Sequence, residues 1–129
     1  MPHRTILVAD PDPDSRTIYA ALLGSEGYTV QTFADAEETC RLAMTLRPAL
    51  VITELYVGDR DAWSLAHALG AGTGRPTPIL LITAGMNPHV QERAYRTGFA
   101  GWLTKPYEPD RLLATIRQLV GPGERVIAR

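Results

Sequence analysis

The sequence predicts an α/β fold in which a parallel β-sheet is covered by helices on both faces. Two observations support this prediction. Short, continuous apolar runs alternate with longer segments whose apolar residues recur at helical spacing. Strands that are apolar along their whole length have no solvated face, which is typical of parallel sheets. The chain has 129 residues, of which 45% are hydrophobic, and this suffices for one domain with a single core.

Five segments are predicted to form the strands of this sheet. Most are short runs rich in Val, Ile or Leu, bounded by turn or helix-start residues. The second segment, "YTVQTF", alternates polar and apolar residues, so it is expected to be half exposed. The predicted strands are, in chain order, Thr5–Ala9, Tyr28–Phe33, Ala49–Glu54, Pro78–Ala84 and Gly101–Thr104.

The first predicted helix begins within the acidic stretch "DPDPDSR". Asp12 is a favourable N-cap, and Pro13 fits the first helical position because an N–H there would have no helical partner. Ile18, Leu22 and Leu23 are predicted to form the apolar face of this helix, which should end at "GSEGY".

Four further helices are predicted from caps and apolar spacing. The second begins after Asp35, where "DAEE" places Glu38 in a capping-box pattern, and it ends at Arg47. The others are Trp63–Leu69, a helix from the Asn87–Pro88 cap to Thr97, and Asp110–Val120. Because one helix follows each strand, we predict a flavodoxin-like, doubly wound (βα)5 fold. It would be a three-layer sandwich whose parallel sheet has the order 2-1-3-4-5. The domain is predicted to span residues 1–121, with residues 122–129 a tail or the start of a linker.

Composition excludes several classes of function. The formal net charge is −1, which offers neither a nucleic-acid footprint nor a basic membrane patch. No apolar run approaches the length of a membrane span. Cys40 is the only cysteine, so an internal disulfide is impossible and a reducing, cytoplasmic setting is expected. His3, His67 and His89 share no metal-ligand spacing.

Chemistry-bearing residues follow several predicted strands. In doubly wound folds ligands bind at the carboxyl ends of the strands, so these residues should meet at one edge of the sheet. Acids end the first and third strands, a hydroxyl ends the fourth and a lysine follows the fifth. The residues are Asp10 and Asp12, then Glu54 with Asp59 and Asp61 in its loop, then Thr83, and finally Lys105.

A small-ligand binder of the flavodoxin type fits these residues poorly. A flavin phosphate needs free backbone amides after the first strand, whereas "DPDPD" offers carboxylates and prolines without an N–H. The glycine-rich "GAGTGRP", Gly70–Pro76, follows a helix instead of a strand, so it is predicted to be a flexible connection and not a dinucleotide loop. Neither a P-loop nor a G-x-S-x-G elbow occurs.

Five motifs in this order resemble the receiver domain of bacterial response regulators. They are "ILVADPDP" (Ile6–Pro13), "LVITEL" (Leu50–Leu55), "GDRDAW" (Gly58–Trp63), "LLITA" (Leu80–Ala84) and "GFAGWLTKP" (Gly98–Pro106). The resemblance covers nearly the whole chain and implies two-component, phosphorelay signal transduction by a module that is not an enzyme.

The resemblance also implies roles for single residues. In the family, two adjacent acids after the first strand help to bind Mg²⁺, and an aspartate ending the third strand accepts a phosphoryl group. By position, Asp10 matches the first acid, Thr83 and Lys105 match the phosphoryl-contacting hydroxyl and lysine, and Trp102 matches the aromatic that repositions with the hydroxyl. The Lys105–Pro106 bond would be cis by this analogy.

Two departures from the family pattern affect the same reaction. Glu54 stands at the phospho-acceptor position, and Pro11 stands where the second metal-binding acid should be. A longer nucleophile is displaced from in-line geometry, and the Mg²⁺ site would keep only Asp10, Glu54 and the Tyr56 carbonyl. We therefore expect no firm cofactor, with Mg²⁺ binding weak or absent.

The prediction that follows is an atypical receiver that works independently of phosphorylation, held in one state by a Glu54–Lys105 contact. The alternative is a receiver that still accepts phosphate, on Glu54 or on Asp59 or Asp61. The partner would be a signalling protein, namely a histidine kinase, a phosphotransferase or an effector. The face made by the fourth helix, fifth strand and fifth helix would bind it or form a homodimer. Its candidate residues are Trp102, Tyr95, Arg96 and Arg111.

Overall fold

The computed structural model describes residues 4–70 and 75–123. No helix within these ranges has the length and apolar character that a membrane crossing needs. Strands and helices alternate along the chain, with one short hairpin inserted before the third helix. The elements are β1 (Thr5–Ala9), α1 (Pro13–Ser25), β2 (Thr29–Phe33), α2 (Ala36–Leu46), β3 (Leu50–Thr53), β4 (Tyr56–Val57), β5 (Arg60–Asp61), α3 (Ala62–Ala68), β6 (Ile79–Thr83), α4 (Pro88–Thr97), β7 (Gly101–Thr104) and α5 (Pro109–Val120).

The main sheet is parallel and has the strand order β2-β1-β3-β6-β7. With the hairpin set aside, this is the predicted order 2-1-3-4-5, and the flavodoxin-like fold is confirmed. The three central strands are buried almost throughout, whereas β2 at one edge is half exposed as its alternating sequence predicts. The carboxyl ends of β1, β3, β6 and β7 therefore meet at one end of the sheet.

Alternate residues of each strand supply the two halves of the core. Ile6 and Val8 of β1 pack on the face covered by α1 and α5, which contribute Leu23 and Ile116. Leu7 and Ala9 pack on the opposite face, which α2, α3 and α4 cover. Successive strand residues point to opposite faces, so a continuous apolar strand can fill both layers.

The apolar face of α1 differs from the prediction. Ile18 is 49% exposed, and Tyr19 is the buried residue, with 1% exposure. Tyr19 and Leu23 lie four residues apart and so share one side of the helix. The Tyr19 ring stacks on Tyr107 with 6.0 Å between the ring centroids. The side chain of Tyr19 is larger than that of Ile18. Its ring fills the space between α1 and the segment after β7.

The chain after β3 also differs from the prediction. The strand ends at Thr53, and Glu54 lies just beyond it instead of being its last residue. The next residues form a β-hairpin, β4 with β5, whose turn uses Gly58 at a φ of 67°. Strands of two residues are too short to produce a periodic pattern. α3 then begins one residue earlier than predicted, at Ala62.

The residues that follow α5 are packed against the start of the domain. Tyr28 donates a hydrogen bond from its hydroxyl to the Gly121 carbonyl at 2.8 Å, and Arg4 Nε donates to the Pro122 carbonyl at 3.2 Å. A Cβ on Gly123 would overlap the backbone carbonyl oxygen of Glu26. Packing therefore continues through Pro122 and Gly123, into the predicted tail, and residues 124–129 lie outside the described residues.

Gly123→Ala is expected to lower the free energy of unfolding by about 1 kcal/mol, because the added methyl group would displace this segment from its contacts. The matched control is Gly24→Ala, where a Cβ meets no atom within 4 Å. That change removes a glycine from α1 and should raise stability by about 0.5–1 kcal/mol. Urea unfolding measures both. A Gly123→Ala protein as stable as the wild type would show that the segment is not seated as described.

Candidate functional site

Asp10 is the buried acid of the site. It directly follows β1, and its amide donates to the Phe33 carbonyl, which extends the pairing with β2 by one residue. One carboxylate oxygen, Oδ1, accepts from the Asp12 amide at 2.9 Å, and the other, Oδ2, accepts from Lys105 Nζ at 2.8 Å. The Asp10 backbone carbonyl accepts from Arg16 Nη1 at 2.8 Å. Asp10 is thus fixed on both its backbone and its side chain.

Asp12 faces the start of α1 instead of the acid pocket. Its carboxylate accepts from the amides of Asp14 and Ser15, each at 3.3 Å, and from the Ser15 hydroxyl at 2.9 Å. The Ser15 hydroxyl, followed by these amides and by Lys105, holds the pKa of Asp12 below its usual range, against the opposing effect of desolvation. Asp12 is therefore the N-cap that the sequence predicts.

Lys105 joins the carboxylates of two strands. Its Nζ lies 2.8 Å from Asp10 Oδ2 and 3.0 Å from Glu54 Oε2. Its backbone N–H donates to the Thr83 carbonyl at 3.0 Å, and the Lys105–Pro106 peptide bond is cis. Burial by itself would lower the pKa of Lys105, but the hydrogen bonds and charges of Asp10 and Glu54 outweigh it and raise that pKa above its usual value.

Glu54 is turned back towards its own backbone. Its Oε1 accepts from the Leu55 amide at 2.7 Å, while Oε2 faces Lys105. The Glu54 amide donates to the Ala9 carbonyl at 3.0 Å, which fixes the start of the side chain beside β1. All four carboxylate oxygens of Asp10 and Glu54 therefore accept from an N–H group of the protein.

Thr83 lies at the predicted position but does not join this cluster. It is buried at the end of β6, and its Oγ1 accepts from the Gly85 amide at 3.1 Å. Within residues 4–70 and 75–123, no hydrogen bond joins its hydroxyl to Glu54 or Lys105.

One residue of the cluster was not predicted from the sequence. Ser15 Oγ lies 3.3 Å from Lys105 Nζ. The predicted N-cap at Asp12 places Ser15 in the first turn of α1. This was the only sequence feature that pointed to Ser15 as a neighbour of the site. Its contact with Lys105 spans 90 positions of the sequence, which no local pattern reveals.

The acids near the predicted magnesium site make other contacts in the structure. Within the described part of the chain, no group of three or more His, Cys, Asp or Glu side chains is arranged to hold a metal ion. Asp10 and Glu54 share one ammonium group, Asp12 caps α1 and Pro11 has no ligand atom in its side chain. Magnesium requires a near-octahedral set of oxygen ligands, so its binding here would have to compete with Lys105 for the carboxylates of Asp10 and Glu54.

Comparison with protein families identifies the class of module that carries this site. The sequence model described as "Response regulator receiver domain" matches residues 6–117. The chain belongs to the response regulator receiver family. Receiver domains are the signal-receiving modules of two-component systems, so this finding favours signalling over the flavodoxin-type ligand binder that the fold alone would allow.

Individual relatives of this receiver differ in length. An uncharacterised 14.6 kDa protein of Leptolyngbya boryana is 30% identical over 88% of this chain and 87% of its own length. The DNA-binding regulator RpaA of Synechocystis is 27% identical over 94% of this chain, which spans 51% of RpaA. Among solved structures, the chemotaxis protein CheY4 of Vibrio cholerae is 25% identical, with a TM-score of 0.83 and coverage of 92% of this chain and 99% of CheY4.

The receiver's predicted output residues occupy two different settings on the face formed by α4, β7 and α5. Trp102 is half-buried and lines a groove of about 400 Å³ together with Gln91 and Arg111. Tyr95 is 75% exposed, and Arg96 forms an exposed ion pair with Glu92 at 2.9 Å. Trp102 and Arg111 thus share one groove, whereas Tyr95 and Arg96 lie outside its lining.

The two further acids after β3 lie in the hairpin. Asp59 is exposed in its turn. Asp61 is the N-cap of α3, and its Oδ1 accepts from the Ser64 amide at 2.8 Å. The carboxylate of Asp61 is therefore engaged by α3.

Lys105→Met is expected to lower the free energy of unfolding at neutral pH by about 2 kcal/mol, because Asp10 and Glu54 would then lie close together without a cation. An exposed control is Arg41→Met, which breaks the solvent-exposed Arg41–Glu38 pair and should lower the free energy of unfolding much less than Lys105→Met does. The pKa of Lys105 is higher in the folded protein than in the unfolded chain, where it is about 10.4. The contribution of Lys105 to the free energy of unfolding is therefore complete below the pKa of the unfolded chain and is lost as the pH rises through the pKa of the folded protein.

Denaturant unfolding of the wild type and Lys105→Met, repeated from neutral to strongly alkaline pH, tests both statements. The stability difference between the two proteins should stay constant up to about pH 10 and then shrink. A difference that grows in this alkaline range would contradict the arrangement.

Tyr19→Phe is expected to leave the free energy of unfolding unchanged or to raise it by up to about 1 kcal/mol. Within residues 4–70 and 75–123, no group meets hydrogen-bond geometry with the buried Tyr19 hydroxyl, whose nearest polar neighbour is Tyr107; burial, followed by the effect of Tyr107, raises the pKa of Tyr19 far above the usual range. Tyr28→Phe is the matched control, since Tyr28 is also buried but donates to the Gly121 carbonyl. It should cost about 1 kcal/mol. A larger loss for Tyr19→Phe than for Tyr28→Phe would overturn this assignment.

Proposed function

We propose that this chain is an atypical receiver that signals through protein contacts without being phosphorylated. The observation that supports the proposal is the ion cluster at the carboxyl edge of the sheet. Lys105 Nζ lies 3.0 Å from Glu54 Oε2 and 2.8 Å from Asp10 Oδ2. In phospho-accepting receivers the matching lysine contacts the phosphoryl group, and here an internal carboxylate takes that place.

The geometry of Glu54 argues against phosphoryl transfer to this residue. In-line attack needs a carboxylate oxygen that is free and correctly placed, and small displacements of the nucleophile cost orders of magnitude in rate. Both oxygens of Glu54 accept hydrogen bonds, one from its neighbouring amide and one from Lys105. A phosphodonor would have to compete with both contacts.

Magnesium binding at this site is weak or absent in our proposal. Its binding would have to separate Lys105 from at least one carboxylate, and Pro11 supplies no third acid. Phosphoryl transfer depends on metal ions that neutralise the developing charge, so a weakened metal site and an engaged nucleophile impair the same step.

The internal carboxylate is a partial substitute for a phosphoryl group. Glu54 brings one negative charge to Lys105, whereas a phosphoryl group brings nearly two at neutral pH. Glu54 also leaves the Thr83 hydroxyl with the Gly85 amide. The cluster thus imitates the contact with lysine and not the contact with the hydroxyl.

The partner in this proposal is a signalling protein: a histidine kinase, a phosphotransferase or an effector. It would bind the face of α4, β7 and α5, where Trp102 and Arg111 line a groove and Tyr95 of α4 is exposed. Aromatic and arginine side chains contribute strongly to protein interfaces. A second copy of the chain is the other candidate for the same face.

The test is an NMR titration of the ¹⁵N-labelled protein with Mg²⁺ and beryllofluoride, a phosphoryl analogue. The wild type should show no saturable shifts at Thr83, Lys105 and Trp102. The matched control is the double variant Pro11→Asp with Glu54→Asp, which restores both family residues and should respond. Saturable shifts in the wild type would favour the alternative, in which the domain still accepts phosphate on Glu54 or on a nearby aspartate such as Asp59.

A further inference from the structure

The three protons of the Lys105 ammonium group have three acceptors in the structure. An ammonium group has three donors and no acceptor. Two of its contacts are those with Asp10 and Glu54, and the third is Ser15 Oγ at 3.3 Å. The lysine is therefore saturated by the chain itself.

The Ser15 hydroxyl can accept a hydrogen bond from Lys105 because its own proton is donated to another residue. It donates its proton to Asp12 Oδ2 at 2.9 Å and so presents its lone pairs to Lys105. The Ser15 amide donates to the same Asp12 oxygen at 3.3 Å. One carboxylate thus holds Ser15 by both its backbone and its side chain, and the side chain is pre-oriented as an acceptor.

Ser15 also lies where α1 meets the segment after β7. It lines, with Ile18, Lys105 and Tyr107, a groove of about 440 Å³ between these two parts of the chain. Its contact with Lys105 is a polar link across this junction. Without it, Lys105 would be held only by the acids that follow β1 and β3.

We infer that Ser15 is a positioning residue, which fixes Lys105 between Asp10 and Glu54 and ties the start of α1 to the ion cluster. This inference rests on the proposed function, because it names the third contact that keeps the cluster closed. A continuous series of hydrogen bonds then runs from Asp12 through Ser15 and Lys105 to Glu54. The N-cap of α1 and the substituted acceptor position belong to the same network.

The direct test observes the Lys105 ammonium protons by NMR in the absence of Mg²⁺ and beryllofluoride. Ser15→Ala should accelerate their exchange with water by about 3- to 10-fold, since one of three acceptors is lost. Ser15→Thr keeps a hydroxyl and should restore slow exchange. Unchanged exchange in Ser15→Ala would overturn the inference.

A second measurement separates this role from helix capping, because Ser15 also contacts Asp12. Urea unfolding of Ser15→Ala is compared in the wild-type and Lys105→Met backgrounds. If Ser15 positions Lys105, the loss of stability caused by Ser15→Ala should shrink at least about twofold when Lys105 is absent. An equal loss in both backgrounds would assign Ser15 to the cap alone.

Failure of this inference can be distinguished from failure of the proposed function. A wild type that responds to beryllofluoride would remove the phosphorylation-independent receiver, yet Ser15 could still be shown to hold Lys105 in the free protein. Unchanged Lys105 exchange in Ser15→Ala would remove the inference and leave the closed contact between Lys105 and Glu54 intact.

Discussion

The ammonium group of Lys105 lies between two carboxylates that would otherwise repel each other, 2.8 Å from Asp10 and 3.0 Å from Glu54. The sheet order makes this contact possible, because β1 and β3 are neighbours and deliver both acids to one edge. Lys105 comes from the end of β7, on the far side of β6, and its backbone is anchored to the Thr83 carbonyl. The site therefore depends on one long, cationic side chain crossing the end of β6.

Lys105, Asp10 and Glu54 form a partly buried ion cluster. Side-chain exposure is 20% for Lys105, 3% for Asp10 and 18% for Glu54, so the charges are largely removed from water. Desolvation of such groups is costly unless they are paired and hydrogen-bonded. Two carboxylates facing one ammonium leave a single excess negative charge. In the proposed function, a third acid at position 11 would add another negative charge and favour a divalent cation, whereas Pro11 adds no charge.

Local signals predicted most of the fold and part of the site. Apolar runs located the main strands, and Asp12, Asp35 and Asn87 cap their helices as the sequence indicates. The β4–β5 hairpin was missed because two-residue strands carry no period. The choice of Tyr19 over Ile18 as the buried residue of α1 depended on how the helix packs. Contacts such as Ser15 with Lys105 depend on tertiary placement and leave no trace in local sequence.

The Thr83 hydroxyl makes no hydrogen bond to the ion cluster within the part of the chain that the structure describes. This hydroxyl accepts from the Gly85 amide, so Glu54 and Lys105 exert no hydrogen-bonding pull on it. Trp102 is half-buried and packs against the core layer that α2, α3 and α4 cover. In the proposed function the position of Trp102, and hence the shape of its face, is set by this packing. A partner that binds the face of α4, β7 and α5 would then meet a surface whose shape depends on the packing of Trp102.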